Sequence, residues 1–184
     1  MNISKDLFFA QQSLMTLFSV TNKLQMQGDK HLQDMTIRQI LAIPALFHAP
    51  DGKATINHIA RSMGTTKQSA KQIVAAMEKK GYLAVIPSEQ DKRAVNIEIT
   101  AEGQQAFIKC SERTDEFLAN IFCDFTTEEL EAFSLLLQKL YRYDAEQNDF
   151  EHQQYHANDN DAVLLQHHQK FATLRVANRP KENE

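Results

Sequence analysis

Large apolar residues recur at helical spacing over residues 4–27, where neither Gly nor Pro interrupts them, so the pattern predicts a long helix. Gly28-Asp29 is expected to end this helix. Two more long helices are predicted in the second half of the chain, one from Thr100 to about Cys123 and one from Thr126 to about Gln147. Thr126 and Glu129 fit a capping box at the start of the last one.

Polar caps and glycines divide the region between these long helices into shorter ones. Thr36 is a good N-cap for a helix that contains Pro44, which should kink or end it. Thr55 begins a helix at 56–63, and Thr66 begins another at 67–80 that Gly81 ends. Two short helices joined by a Gly-containing turn are typical of a helix-turn-helix.

The pattern changes period immediately after this helix-turn-helix. Residues 82–86 read as a strand, 87–91 are polar and turn-like, and 94–99 alternate apolar and polar residues. A β-hairpin in this place is called a wing. The predicted fold is therefore mostly α with a small β-wing, and it consists of a winged helix-turn-helix domain flanked by N- and C-terminal helices.

The C-terminal part of the chain is more polar than the helices before it. Residues 147–160 are almost entirely polar, and we expect them to be frayed or disordered. Apolar residues return over 161–176, which predicts a short docked helix. Residues 148–184 are accordingly treated as a polar C-terminal extension.

Composition bounds the class of protein. A chain of 184 residues is expected to form one domain, or one domain with a long appendage. The two cysteines, Cys110 and Cys123, cannot build a disulfide framework, so a reduced cytoplasmic location is expected. The sequence contains no signal-peptide core and no membrane-spanning run, and no membrane partner is expected. It also lacks a Gly-rich phosphate loop, a zinc-type Cys/His set and a nucleophile elbow, so neither an enzyme nor a cofactor or metal site is predicted.

Positive charge is concentrated in the helix-turn-helix and wing. Residues 53–93 carry eight basic and three acidic residues, a net charge of +5, which leaves −9 for the rest of the chain. A local basic face of this kind suits the phosphate backbone of DNA. The residues expected to contact DNA at the start of the second short helix are Thr65, Thr66, Lys67, Gln68, Ser69, Lys71 and Gln72. Gln and Lys can hydrogen-bond base edges, whereas hydroxyls suit phosphate. A solvated polar face is the alternative interpretation of this helix taken alone.

The tip of the hairpin adds a second candidate contact. Lys92 and Arg93 are placed to bind DNA there, because an Arg on a hairpin tip can enter the minor groove. Asp91 would orient the guanidinium group by accepting its hydrogen bonds. The alternative is an exposed ion pair that contributes little to stability.

Several motifs occur in order and at close spacing: Gly64-Thr65-Thr66-Lys67, then 77–82 (MEKKGY), then Asp91-Lys92-Arg93-Ala94, then Ile99-Thr100-Ala101-Glu102-Gly103. Together with 125–130 (FTTEEL), they resemble winged-helix repressors of the multiple-antibiotic-resistance regulator (MarR) family over roughly residues 4–146. The resemblance implies a homodimer that binds a pseudo-palindromic site in double-stranded DNA, with 1–34 and 101–147 as its helical dimerisation region and 35–100 as the DNA-binding domain. The apolar surface of the long helices supports association independently.

Repressors of this kind usually release DNA when a small, often phenolic, molecule binds near the junction of the two regions. The candidate lining residues are aromatic or sulfur-containing: Phe8, Phe9, Met15, Phe18, Phe47 and Phe107. Ordinary core packing is the favoured alternative for each of them. A redox role for Cys110, with Lys109 and Arg113 near it, is disfavoured against an inert helical thiol. His152 and His156, with His167-His168, are interpreted as a solvated tail rather than a metal site.

Three functions from different classes follow from these observations. The first is a ligand-responsive, DNA-binding transcriptional repressor. The second is a winged-helix module that docks an acidic protein, or an architectural DNA binder without sequence preference. An enzyme whose residues assemble across the fold is the third and least supported.

Overall fold

The computed structural model describes residues 3–49, 54–87, 95–144 and 162–179. Seven helices and one hairpin follow in chain order within these ranges: α1 (Ile3–Leu32), α2 (Ile37–Phe47), α3 (Ile56–Ser62), α4 (Lys67–Lys79), β1 (Leu83–Pro87), β2 (Val95–Ile99), α5 (Ala101–Ile121), α6 (Thr127–Tyr141) and α7 (Ala162–Ala177). A short 3-10 turn, Arg142–Asp144, follows α6. The predicted fold class, mostly α with a β-wing, is confirmed.

The threonine caps predicted from sequence begin the helices as expected. Thr36, Thr55, Thr66, Thr100 and Thr126 each accept a hydrogen bond from the backbone N–H three residues later. The capping box of Thr126 and Glu129 is complete, because each side chain bonds the other residue's backbone N–H. These bonds satisfy N–H groups that have no partner inside the helix.

The first helix does not end at Gly28-Asp29, as the sequence predicted, but continues to Leu32. Gly28 is buried where α2 begins, and a Cβ there would lie 2.4 Å from Ile37 Cδ1. Asp29 Oδ1 accepts a hydrogen bond of 2.7 Å from the Ile37 backbone N–H. The glycine therefore provides close approach between two helices, and the chain instead leaves α1 at Gln33 (φ +56).

Pro44 does not end α2 either, since the helix continues through it to Phe47. A proline inside a helix removes one N–H donor, and its ring crowds the carbonyl four residues earlier. Ala45 and Leu46, just beyond it, are buried in the core. The Pro44 carbonyl still accepts a hydrogen bond of 2.9 Å from the His48 backbone N–H. Of the two effects expected of Pro44, a kink or an end of the helix, the second does not occur, because core packing outweighs this cost.

The hairpin forms as predicted, with boundaries shifted by one residue. Strands β1 and β2 pair antiparallel, with Leu83 opposite Ile99 and Val85 opposite Ile97. Ala54 adds a single bridge to Ile97 on the other edge of β2. Leu83 and Ile97 are buried and join the hairpin to the helical core.

One core unites the winged domain with the start of α5. Its largest fully buried side chains are Leu32, Met35, Ile59, Met77 and Ile97. Phe107 and Cys110 of α5 belong to the same cluster. Arg113, one turn further along α5, donates a 3.1 Å hydrogen bond to the Leu32 carbonyl and pairs with Asp34. Cations stabilise helix C-termini in this way, so α5 fixes the end of α1.

The C-terminal extension contains the docked helix that the sequence predicted, here α7. It lies along α5, which it contacts through His167 and Lys170. The predicted disorder over 147–160 falls on residues outside the described ranges. Within those ranges, no helix combines the length and apolarity needed to cross a bilayer.

Gly103 allows the closest approach between α5 and the hairpin. A Cβ at this position would lie 2.0 Å from the Tyr82 carbonyl oxygen. At an exposed position inside a helix, Gly→Ala would raise the free energy of unfolding by about 1 kcal/mol. We expect Gly103→Ala instead to reduce the free energy of unfolding by about 1–3 kcal/mol through overpacking, as measured by urea denaturation.

Gln104→Ala, at the exposed neighbouring position, serves as the control and should change stability by less than about 0.5 kcal/mol. Equal stability of Gly103→Ala and the wild-type chain would contradict this explanation of the glycine.

Candidate DNA-binding surface

Helix α4 places its inward and outward faces as the sequence predicted. Its buried residues are Ala70, Ile73, Val74 and Met77. The opposite face exposes Lys67, Gln68, Lys71 and Gln72. These four side chains are therefore available on one face of a helix in a helix-turn-helix. Their contact with DNA stays a prediction.

The hydroxyl residues at the start of α4 lie beside this face. Thr66 is the N-cap, and its Oγ1 accepts a 3.2 Å hydrogen bond from the Ser69 N–H. Thr65 and Ser69 are half-buried, whereas Thr66 is exposed. The first N–H groups of a helix attract anions, so this end is suited to a phosphate.

Arg38 is a residue of this surface that the sequence analysis missed. It lies on α2, and its Nη2 donates hydrogen bonds to Ser69 Oγ (2.6 Å) and Thr65 Oγ1 (3.3 Å). In the sequence, Ser69 lies 31 residues and Thr65 lies 27 residues after Arg38. No local motif marks such a residue, because only the packing of α2 against α4 creates the contact.

Lys80, at the other end of α4, has a structural role. Its Nζ donates to the Asp34 carbonyl (2.7 Å) and to Gln39 Oε1 (3.3 Å). Gln39 is buried, and the same oxygen accepts the Thr36 N–H in the capping box of α2. This bond holds the C-terminus of α4 against α2.

The tip of the wing carries the other predicted DNA contacts, Lys92 and Arg93, with Asp91 as the orienting group. All three lie outside the described residues. Their roles stay predictions from sequence.

The predicted effector-lining residues do not converge within one chain. Phe47 and Phe107 are in edge-to-face contact, with ring centroids 6.4 Å apart, and Phe107 is part of the core. Phe8, Phe9 and Met15 are exposed along the first half of α1. Phe18 lines a cleft between α1 and α6 that none of the other predicted residues lines.

Helix α1 lines at least two clefts among the described residues. The larger, of about 1090 Å³, lies between α1 and α6 and is lined by Leu14, Phe18, Phe122, Phe133, Leu137 and Tyr141, among others. The smaller, of about 600 Å³, lies between α1 and α5. Its wall is apolar at Leu24, Phe117 and Ile121, and its rim carries Lys23, Lys30 and His31. This second cleft combines an apolar wall with basic groups, a combination suited to an aromatic anion.

The cysteines are both free thiols. Burial raises the pKa of Cys110 above its usual 9.0, although the Thr114 hydrogen bond and the nearby Arg113 act in the opposite direction. A raised pKa keeps the group as a thiol at neutral pH, and the thiolate is the reactive form. The structure thus provides no activation of Cys110.

The histidines of the C-terminal extension are only partly within the described ranges. His167 pairs with Asp115 of α5, whereas His152 and His156 lie outside the described residues. Among the residues that are described, no cluster of His, Cys, Asp and Glu could hold a metal ion.

These elements define a winged helix-turn-helix protein, in which α3 and α4 form the helix-turn-helix and β1–β2 the wing. Comparison with protein families makes the assignment more specific. Residues 33–94 match the model of the MarR family. The match over this segment confirms the resemblance drawn from the sequence motifs.

Solved structures of the same fold extend the likeness beyond the winged domain. The organohalide-sensing regulator RdhR-CbdbA1625, in its 2,4-dichlorophenol-bound form, has a TM-score of 0.67 and 19% identity, over 74% of this chain and 81% of that one. A MarR/EmrR-family regulator from Acinetobacter sp. ADP1 has a TM-score of 0.63 and 21% identity, over 72% and 94%. MepR from S. aureus, in complex with DNA, has a TM-score of 0.61 and 22% identity, over 69% and 94%. A search of curated proteins found no significant match.

Proposed function

We propose that this chain is a sequence-specific, DNA-binding transcriptional regulator that acts as a homodimer and represses until a small molecule releases it. The observation that carries the proposal is the exposed basic face of α4, with hydroxyls and Arg38 at its N-terminus, in a chain that is acidic elsewhere. The DNA complex of MepR, a protein of the same fold, supports it.

The apolar surfaces of α1 and α6 support the homodimer. Six large apolar side chains of α1 are more than half exposed: Leu7, Phe8, Leu14, Met15, Phe18 and Met26. Helix α6 has no buried residue, and its apolar side chains Leu135, Leu136 and Leu140 are at least half exposed. Soluble monomers rarely leave contiguous apolar surface of this extent uncovered. A second copy of the chain, offering the same faces, would cover it.

A two-fold dimer also accounts for how one short recognition helix achieves specificity. Two copies of α4 related by symmetry would enter successive major grooves, about 34 Å apart, on one side of the duplex. The preferred site would then be a pseudo-palindrome. The bases would be read by Gln68 and Gln72, which can pair with adenine, and by Lys67 and Lys71.

Two observations support regulation by a small molecule. The dichlorophenol-bound form of RdhR-CbdbA1625 supports an aromatic effector, and the cleft between α1 and α5 has the chemistry for one. Lys23 and Lys30 have no acidic partner among the described residues, so a phenolate or carboxylate could pair with them above the Phe117 ring. A ligand there would contact α1 and α5 together, the two helices that link the winged domain to the proposed dimer surface.

The salt dependence of DNA binding tests the role of the basic face. Each phosphate that a lysine neutralises adds about 0.9 to the magnitude of the slope of log K against log salt. Because a dimer carries two copies, Lys71→Gln should lower that magnitude by about 1.8. Fluorescence anisotropy would measure this on a duplex that the chain itself selects from a random pool.

Lys79→Gln removes one charge at the far end of the same helix and is the matched control, expected to change the slope by less than about 0.5. Equal slopes for Lys71→Gln and the wild-type chain would contradict the assignment of this face. Binding to all duplexes alike would instead favour the architectural alternative.

Sedimentation equilibrium tests the dimer. The wild-type chain should sediment at twice its mass of 21.0 kDa. Leu136→Asp replaces an exposed apolar side chain of α6 with a charge and should weaken association by about 100-fold or more. The variant should fold normally, because residue 136 is exposed in the single chain.

Glu131→Ala, on the same helix, is the control and should leave the association constant within about threefold. A wild-type chain that stays monomeric at micromolar concentration would contradict the proposed dimer.

A further inference from the structure

The contact between Arg38 and the start of α4 gives this arginine a role that goes beyond adding charge. Its Nη2 donates to both Ser69 Oγ and Thr65 Oγ1. Each hydroxyl oxygen thus accepts a hydrogen bond from a cation, and its own O–H hydrogen must point elsewhere. A hydroxyl group can donate one hydrogen bond while it accepts others.

The local bonds leave these two O–H groups free to donate outward. Within the described residues, neither hydroxyl donates to a protein acceptor. Phosphate oxygens are acceptors only, so they match donors fixed in this way.

We propose that Arg38 is a positioning residue that orients the Ser69 and Thr65 hydroxyls as hydrogen-bond donors to the DNA backbone. The proposal rests on the DNA-binding function proposed above and adds a mechanism to it. A charge-assisted hydrogen bond is roughly twice as strong as a neutral one, so the arginine both fixes and polarises the hydroxyls. It thereby sets the register of α4 on the duplex, since phosphate contacts position a reading helix.

A double-mutant cycle on the selected duplex tests this mechanism. Arg38→Ala and Ser69→Ala should each weaken binding by about tenfold, as expected for one charge-assisted hydrogen bond. The double variant should lose little more than Arg38→Ala alone, because the arginine acts on Ser69 through its hydroxyl. Arg38→Lys should recover part of the affinity, since it still offers a charged donor.

The controls separate positioning from other effects. Lys79→Ala removes one positive charge from α4, the helix at whose start Thr65 and Ser69 lie, without altering either hydroxyl. Urea denaturation and sedimentation of each variant should match the wild-type chain, which excludes loss of folding or association. Strictly additive effects in the double variant would overturn the proposal in favour of a direct phosphate contact by Arg38.

Failure of this inference and failure of the proposed function give different results. If the wild-type chain binds its duplex and Arg38→Ala binds equally well, the inference alone is overturned. If the wild-type chain binds no duplex, the proposed function is overturned and this role of Arg38 with it.

A separate observation concerns α7 and the corner between α5 and α6. Arg175 Nε donates a 3.0 Å hydrogen bond to the Phe122 carbonyl, and its Nη2 donates to the Phe125 carbonyl. Arg179 Nε donates to the Cys123 carbonyl at 3.2 Å. Three of the four carbonyls at 122–125 are thus bound by arginines 50 or more residues downstream.

Charge complementarity extends the contact along α5. Helix α7 and the two residues that follow carry three Lys or Arg and no Asp or Glu. Lys170 pairs with Glu116 at 3.1 Å, and His167 with Asp115. Glu116 also lies 4.0 Å from His31 of α1, so the contact reaches a third helix.

We infer that α7 is an internal brace that fixes the angle between α5, which is anchored in the winged domain, and α6, which carries apolar surface. This inference needs no DNA and does not depend on the proposed function. It is tested on the full chain by hydrogen exchange of the backbone amides at the corner.

Arg175→Ala should speed exchange of the Phe122 and Phe125 amides, which bond the Leu118 and Phe122 carbonyls, by about tenfold. His168→Ala changes an exposed residue of the same helix and should leave these amides unchanged. Core amides such as that of Val74 should exchange at wild-type rates in both variants. Unchanged exchange at the corner in Arg175→Ala would overturn the inference, as would faster exchange throughout the chain, which would indicate a general loss of stability.

Discussion

The approach of α5 to the backbone of Tyr82 is the constraint on which the rest of the structure depends. Gly103 leaves room for this approach. The Thr100 hydroxyl stabilises it by donating a 2.6 Å hydrogen bond to the Gly81 carbonyl. From that point Phe107 and Cys110 enter the core, and Arg113 holds the end of α1. Because one helix makes all these contacts, the direction of its far end is set by the winged domain. Any movement of α6 relative to that domain must occur at the corner after α5 or by bending α5.

Local signals in the sequence accounted for most of the elements. Thr36, Thr66 and Thr126 each cap a helix because a hydroxyl can satisfy an N–H three residues ahead, a relation that needs no knowledge of tertiary structure. Alternation over 94–99 indicated β2 in the same way, since one of its faces packs on the core. The outward face of α4 followed from its buried face by helical geometry alone.

The errors and omissions all concern contacts between different elements of the fold. Gly28 looks like a helix stop, but its small size serves the approach of Ile37. Pro44 looks like a helix breaker, but buried neighbours keep α2 intact. Arg38 and Arg175 carry no local pattern, since their partners lie 27 or more residues away. The aromatic residues predicted to line one pocket were chosen by type, and the fold distributes them between the core, the surface and a cleft.

Charge and apolar surface have separate places in this molecule. Net positive charge is concentrated in the helix-turn-helix and wing segment, residues 53–93, whereas most of the uncovered large apolar side chains lie on α1 and α6. A protein that binds DNA as a dimer needs this separation, because each surface must remain free for its own partner. The α7 brace and the α1–α5 cleft lie between these two regions. They occupy the position from which a change in one region could be transmitted to the other.

Selection of bound duplexes from a random pool by the purified chain tests the central claim most directly. The account predicts enrichment of a two-fold symmetric motif whose half-sites are centred about one helical turn, roughly 10–10.5 base pairs, apart. Each half-site should be bound by one copy of the chain. Recovery of no motif, or of a single asymmetric half-site bound by a monomer, would contradict it.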